Sequence, residues 1–297
     1  MLIRSRYLLL TTLLGCSLPL IEPNQIAWAQ GQIVIPSHET AEQLLERGNA
    51  YIRLGNLEAA IAMFRASIDK KPELTIAHYN LGLALAQSGQ IQQAVYAFQR
   101  VIRLEPKFAL AYSNLGAAWL QLGNFPQAVS NLQTAINLSP NLAIAHYNLG
   151  IAYKEQKQNA KAIAALQKAI KLDANSAEPY YHLGLLIQAQ GNFTEAINHY
   201  QTAIKLNPNY AEAHYNLGAV LLLRNQTEEA IAYLQKAIKL KPNYANAYYT
   251  LGVAQAKLGQ KQQAIQSFIQ AQAYFNQQND SQWAKASEQQ IQSLRES

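Results

Sequence analysis

Between residues 41 and 278 apolar and polar positions repeat in one register every 34 residues. Within each unit the apolar positions fall at steps of three and four, which places them on one face of an α-helix. Two such runs, separated by a short polar turn, make each unit a pair of helices. The units are 41–74, 75–108, 109–142, 143–176, 177–210, 211–244 and 245–278. Position 8 of the unit is always glycine (Gly48, Gly82, Gly116, Gly150, Gly184, Gly218, Gly252), and position 20 is always alanine, from Ala60 through Ala264. Small residues at both places let paired helices approach closely.

Turns and ends follow the same beat. Position 15 is glycine except at Lys157 and Asn225, and glycine or asparagine suits a left-handed helix C-cap. Lys157 fits worst, so the 156–159 turn is expected to be the least regular. Position 32 is proline at Pro72, Pro106, Pro140, Pro208 and Pro242 but Ala174 and Asn276 in the other two units. Proline ends helices, so the helix ending near Leu172 is expected to run on. Thr40 followed by Gln43 predicts a capping box at the first helix. After 278 the rhythm stops, and Asp280 or Ser281 can cap a last helix with Trp283, Ile291 and Leu294 on its apolar side. A fixed period of this length means stacked supersecondary units whose last member must be covered. The expected fold is all-α: an α-solenoid of seven tandem helix-turn-helix repeats plus a C-terminal capping helix at 279–297.

Upstream of the array, residues 1–29 have the pattern of a targeting leader. Arg4 and Arg6 precede a mostly apolar run from Tyr7 to Ile21, and Ala27-Trp28-Ala29 offers a small-x-small cleavage site. Cleavage after Ala29 would make the protein periplasmic or secreted, with 30–40 as a linker. The alternative is Leu13-Leu14-Gly15-Cys16 as a lipobox, which would anchor a lipoprotein at Cys16. An uncleaved anchor is a third reading. Cys16 is the one cysteine, so no disulfide framework or zinc cluster of cysteines forms within the chain. The formal charge of +6 becomes +5 when Arg4, Arg6 and Glu22 leave with the leader. That is too mild and too dispersed to argue for nucleic acid. Lys168, Lys171, Lys205, Lys236 and Lys239 stand late in second helices, where cations complement the helix dipole.

Candidate chemistry is sparse. His78, His146 and His214 share position 4, but they lie two units apart. Helices pack about 8–10 Å apart, so these imidazoles fill core rather than share one ion. No phosphate loop, dinucleotide fingerprint, nucleophile elbow or HExxH pair is present. No cofactor is expected, and no catalytic residue is assigned.

Unit three carries Tyr112, Leu115, Gly116, Trp119, Ala128, Leu132, Ala135 and Pro140 at positions 4, 7, 8, 11, 20, 24, 27 and 32. This pattern resembles the tetratricopeptide repeat, in seven copies over 41–278. The resemblance implies a right-handed superhelix whose first helices line a concave groove, a fold that usually binds peptides or proteins and rarely catalyses.

On a helical wheel, positions 2, 6, 9 and 13 of the first helix lie opposite the face that packs within the unit, with 5 and 12 beside them. Position 6 holds Asn80, Asn114, Asn148 and Asn216, whose amides can clamp an extended peptide backbone. Such a ladder is similar to the repeat region of the O-linked N-acetylglucosamine transferases, although Glu46, His182 and Thr250 interrupt it here. The alternative is that these amides pair with neighbouring helices. Position 5 holds Tyr79, Tyr147, Tyr181, Tyr215 and Tyr249, suited to recognition or to the seam between units. Ile76, Leu83, Leu110, Leu120, Ile144 and Ile151 predict an exposed apolar strip across units two to four, where the main ligand segment is expected. Leu222 and Leu223 form a second candidate. The chaperone-binding arrangement, with lysine at 5 and asparagine at 9, is absent apart from Asn49.

The expected function is a non-catalytic protein- or peptide-binding scaffold outside the bacterial cytoplasm. The alternative is an accessory subunit of an envelope enzyme that modifies glycans or protein; self-association through Trp283 is a third reading. Membrane contact is expected only through the leader or a lipid anchor at Cys16.

Overall fold

A computed structural model describes residues 38–296; the leader and most of the linker lie outside the described residues. The chain divides into two compact units, and their boundary falls between Leu172 and Asp173. The first unit contains four helix pairs: α1 (Ala41–Arg53) and α2 (Leu57–Lys70), α3 (Thr75–Gln87) and α4 (Ile91–Leu104), α5 (Ala109–Gln121) and α6 (Phe125–Leu138), and α7 (Ala143–Glu155) and α8 (Asn159–Leu172). The second contains α9 (Ala177–Ala189) and α10 (Phe193–Leu206), α11 (Ala211–Leu223) and α12 (Thr227–Leu240), α13 (Ala245–Lys257) and α14 (Lys261–Gln277), then the single helix α15 (Ser281–Glu296). The described residues contain no strand. This is the all-α solenoid of tandem repeats that the period predicts.

Local sequence sets each start and stop. At α1, Gln43 N–H donates to Thr40 Oγ1 at 3.2 Å and Thr40 N–H donates to Gln43 Oε1 at 2.9 Å, which completes the capping box. Asn56, Asn124 and Asn192 at position 16 cap α2, α6 and α10 by accepting from Ala59, Gln127 and Glu195 N–H. Each such cap replaces a backbone hydrogen bond that the helix start lacks.

The turn at Lys157 is as regular as the others, contrary to the expectation for 156–159. Lys157 takes φ 59°, Asn225 takes φ 61° and Gly55 takes φ 74°. Lys157 N–H donates to the Lys154 carbonyl at 2.9 Å, as Gly55 N–H does to Ile52 at 3.0 Å. The cap's hydrogen bonds hold the geometry, and the lysine bears the left-handed strain instead of relaxing it.

The helix at Leu172 also stops on time, although Ala174 replaces proline. Asp173 Oδ1 accepts from Asn175 N–H at 3.0 Å. This side-chain turn competes with the next helical hydrogen bond and ends α8 without proline. The helix α14, where Asn276 stands at that position, does continue to Gln277.

Within each pair the glycine at position 8 meets the residue at position 24. A Cβ on Gly116 would lie 2.6 Å from Leu132 Cγ, and one on Gly48 2.4 Å from Phe64 Cε1. Every alanine at position 20 is fully buried beside this contact. Second helices pack in turn on the first helix of the following repeat within each unit. The position-4 histidines tie these steps together. His78 Nε2–H donates to the Pro72 carbonyl at 2.9 Å, His146 to Pro140 at 3.0 Å and His214 to Pro208 at 3.1 Å. Each imidazole therefore fastens the loop that enters its own repeat.

The last helix covers α14. Ile291 and Ala284 are buried, and they join clusters with Ile265 and Phe268 and with Ala271 and Phe275. Trp283 N–H donates to Asp280 Oδ1, so Asp280 caps this helix. The Trp283 ring lies edge-on to Tyr249 at 5.0 Å and stacks on Phe275 at 6.0 Å, yet 45% of the residue is exposed.

Candidate functional site

In the first unit, α1, α3, α5 and α7 are neighbours in order, and the residues assigned to ligand binding lie along their common face. The structure puts most of them in the seam between repeats. Asn80 Nδ2 donates to Asn49 Oδ1 at 2.9 Å and Asn114 Nδ2 donates to Tyr79 OH at 3.1 Å. In the second unit Asn216 Nδ2 donates to Tyr181 OH at 3.1 Å and to the Glu212 carbonyl at 2.8 Å. Asn80, Asn114 and Asn148 are buried, and Asn216 is half-buried. An amide hydrogen already given to the preceding repeat cannot also clamp a peptide backbone. Both amide hydrogens of Asn216, and one of the two on Asn80 and on Asn114, are thus committed to the solenoid.

The tyrosines occupy the other side of the same seam. Tyr79 meets Phe108 edge-on at 5.1 Å and Phe98 at 6.1 Å. Tyr181 meets Tyr210 at 4.7 Å and Tyr200 at 6.1 Å; Tyr215 meets Tyr244 at 4.9 Å. Each ring sits between the loop into the next repeat and, for Tyr79 and Tyr181, its own second helix, and edge or offset contacts of this kind add to area burial. Burial pushes the Tyr79 phenol up to about 12, against a smaller opposing effect of the Asn114 hydrogen bond. Tyr181, Tyr200, Tyr215 and Tyr244 are likewise raised, with burial the largest cause. These phenols stay neutral and act as hydrogen-bonding spacers. Tyr147 is buried and Tyr249 is half-buried.

The expected open apolar strip is not open. Leu83, Leu120 and Ile151 are buried, and Ile76, Leu110 and Ile144 are half-buried. A wheel shows one helix at a time, whereas Leu83 joins a core cluster drawn from repeats one to three, with Ile76 and Leu110 packed against it. In the second unit Leu223 is 65% exposed and Leu222 half-buried, so that weaker candidate is the more accessible. Asn80 Oδ1 and Ser113 Oγ are buried with no hydrogen-bond partner among the described residues. Asn80 already stood among the expected ligand residues, whereas the helical wheel missed Ser113, which replaces the usual tyrosine at position 5.

One signal could have exposed the seam. A tyrosine at position 5 is followed 35 residues later by a hydrogen-bonding residue at position 6, as Tyr79 by Asn114, Tyr181 by Asn216 and Tyr215 by Thr250. The first two of these pairs bond directly, amide to phenol oxygen.

The repeat geometry agrees with family comparison. A model described as "TPR repeat" matches 118–157, 152–191, 186–223 and 220–259, and models described as "Tetratricopeptide repeat" match 45–107, 81–135 and 245–277. The chain belongs to the tetratricopeptide repeat family. Among solved structures, MamA 41-end from Desulfovibrio magneticus RS-1 is 28% identical, with TM-score 0.52, over 57% of this chain and 96% of that one. A tetratricopeptide repeat protein from Parabacteroides merdae is 19% identical, with TM-score 0.63, over 83% of this chain and 98% of that one. The hetero-tetramer Cut9–Hcn1 is 20% identical, with TM-score 0.66, over 83% of this chain and 54% of that one. The latter two bear on fold alone. Comparison with curated proteins gives no match. Tetratricopeptide repeats are generally non-catalytic scaffolds that bind proteins or peptides, and nothing found points to an enzyme family.

Proposed function

We propose that this protein is a non-catalytic scaffold that holds an apolar protein or peptide segment against the first-helix face of repeats two to four, outside the cytoplasm. The observation that carries this reading is the composition of that face. Position 2 is Ile76, Leu110 and Ile144, and position 9 is Leu83, Ala117 and Ile151. Leu83, Ala117 and Ile151 are buried, so the half-buried Ile76, Leu110 and Ile144 are the part of this lane that a ligand would reach. A lane of such side chains on neighbouring helices suits an apolar segment lying across them. Asn80 Oδ1 and Ser113 Oγ supply acceptors for its backbone N–H groups. The position outside the cytoplasm rests on the leader pattern of residues 1–29.

The test is affinity capture from the native envelope with the wild type, Leu110→Glu/Ile144→Glu, and Tyr96→Glu on an exposed second-helix site. A polypeptide held by wild type and Tyr96→Glu but lost from the double variant, at equal helicity, supports the reading. Equal capture by all three removes it.

A further inference from the structure

Repeat seven departs from the other six at a packed position. Position 11 is apolar or aromatic in repeats one to six, from Tyr51 to Leu221, and is Gln255 in repeat seven. Its neighbour at position 23 is Ser267, whose hydroxyl donates to Gln255 Oε1 at 2.7 Å. Both residues are only 7% exposed. Repeat two carries Leu85 and Ala97 at the same two positions, both buried, so helix pairing does not require the polar pair. A buried amide costs free energy unless its hydrogen-bonding capacity is used. Ser267 uses the oxygen, while the amide hydrogens of Gln255 make no hydrogen bond among the described residues.

Gln255 and Ser267 form the floor of a groove of about 610 Å³ lined by α12, α13 and α14, all in the second unit. Six of the eight residues lining it are glutamines. Of these, Gln235 on α12 and Gln262, Gln263 and Gln266 on α14 are exposed. None of these four makes a side-chain hydrogen bond among the described residues. Elsewhere neighbouring glutamines pair with each other, as Gln93 Nε2 donates to Gln90 Oε1 at 3.0 Å and Gln158 Nε2 to Gln156 Oε1 at 2.7 Å. No charged side chain lines the groove, and Ile231 adds an apolar patch.

We propose that this groove binds a neutral oligosaccharide. A primary amide presents a donor and an acceptor on one planar group. Each sugar hydroxyl also donates and accepts, so two adjacent hydroxyls match one amide edge. Six amides around one groove suit a ligand with many hydroxyls, and Ile231 suits the C–H face of a pyranose ring. An acidic sugar would lose hydration there without meeting a counter-charge. A peptide would need pockets for alternate side chains, and the lining holds no aromatic residue. The groove lies in another unit than the first-helix face of repeats two to four, and sugar binding does not rest on that face.

The full chain is titrated with cellotetraose, maltotetraose and chitotetraose and followed by saturation-transfer NMR. Tetragalacturonate is the acidic comparison, and an uncharged hexapeptide rich in serine and asparagine is the peptide comparison. At least one neutral tetrasaccharide should bind, and more tightly than either comparison. Gln255→Leu/Ser267→Ala reproduces the pair of repeat two and should keep wild-type helicity. Loss of the floor amide should raise the sugar Kd at least about fivefold. Gln263→Ala/Gln266→Ala, at exposed helix positions that alanine favours, should do the same. Gln127→Ala, at an exposed glutamine of the first unit, should bind sugar as the wild type does. No binding of any of the three sugars, equal binding by all variants, or tighter binding of tetragalacturonate or the hexapeptide would overturn the proposal. Sugar binding with no partner captured would remove the scaffold reading alone. Partner capture that depends on Leu110 and Ile144, without sugar binding, would remove this site alone.

Discussion

At the residue scale, the side chains expected to read a ligand are first of all the ones that join repeats. Tyr79 and Asn114 illustrate the double demand: the ring fills the seam against Phe98 and Phe108, and its hydroxyl accepts the amide of the next repeat. Tyr79→Phe keeps the ring and removes that acceptor, so it should cost about 1 kcal/mol in a urea titration. Lys157 sits in a left-handed cap at φ 59°, and Lys157→Gly should stabilise the fold by about 1 kcal/mol by removing that strain. The histidines give a pH signature. Burial, the largest effect, holds His78 and His214 below their ordinary value of 6.5, with the bonds to Pro72 and Pro208 opposing it. Their folded value is depressed, so the unfolded chain binds protons more readily. Their contribution to stability is complete above 6.5 and falls as pH drops below it. Urea midpoints at pH 7.5 and 5.5 should differ less for His78→Tyr/His214→Tyr than for the wild type.

At the element scale, the helix pairs were legible because their determinants are local. Glycine at position 8 needs only its partner at position 24, sixteen residues on, and Thr40 with Gln43 needs only one turn. Gly116→Ala would bring a Cβ to 2.6 Å from Leu132 Cγ, a branch point that cannot swing aside. It should destabilise the protein by roughly 1–3 kcal/mol by thermal or urea unfolding. The stop at Leu172 was not legible from proline alone, since an aspartate side chain does the same work through a different hydrogen bond. The face of the first helices was misjudged for a physical reason. A helical wheel places side chains around one axis, but burial at positions 5 and 6 depends on groups far along the chain, as for Tyr79 beside Phe108 and Asn80 beside Asn49. The seam of Tyr79 with Asn114, 35 residues apart, is of that kind.

At the scale of the whole molecule, the period made the fold and family plain and left the partner to one face. The described residues contain no helix long and apolar enough to cross a membrane, so neither the array nor its last helix is built as a spanning segment. That last helix instead shields Ile265, Phe268 and Phe275 on the second unit. Removing residues 281–297 would expose that apolar surface, and concentration-dependent association by light scattering is the expected result. The central claim concerns the first unit: its first-helix face, not its second helices, meets the partner. Hydrogen exchange read by mass spectrometry, on residues 30–297 with and without a captured partner, tests this directly. The account predicts added protection in α3, α5 and α7 with α4, α6 and α8 unchanged, and protection confined to the second helices would contradict it.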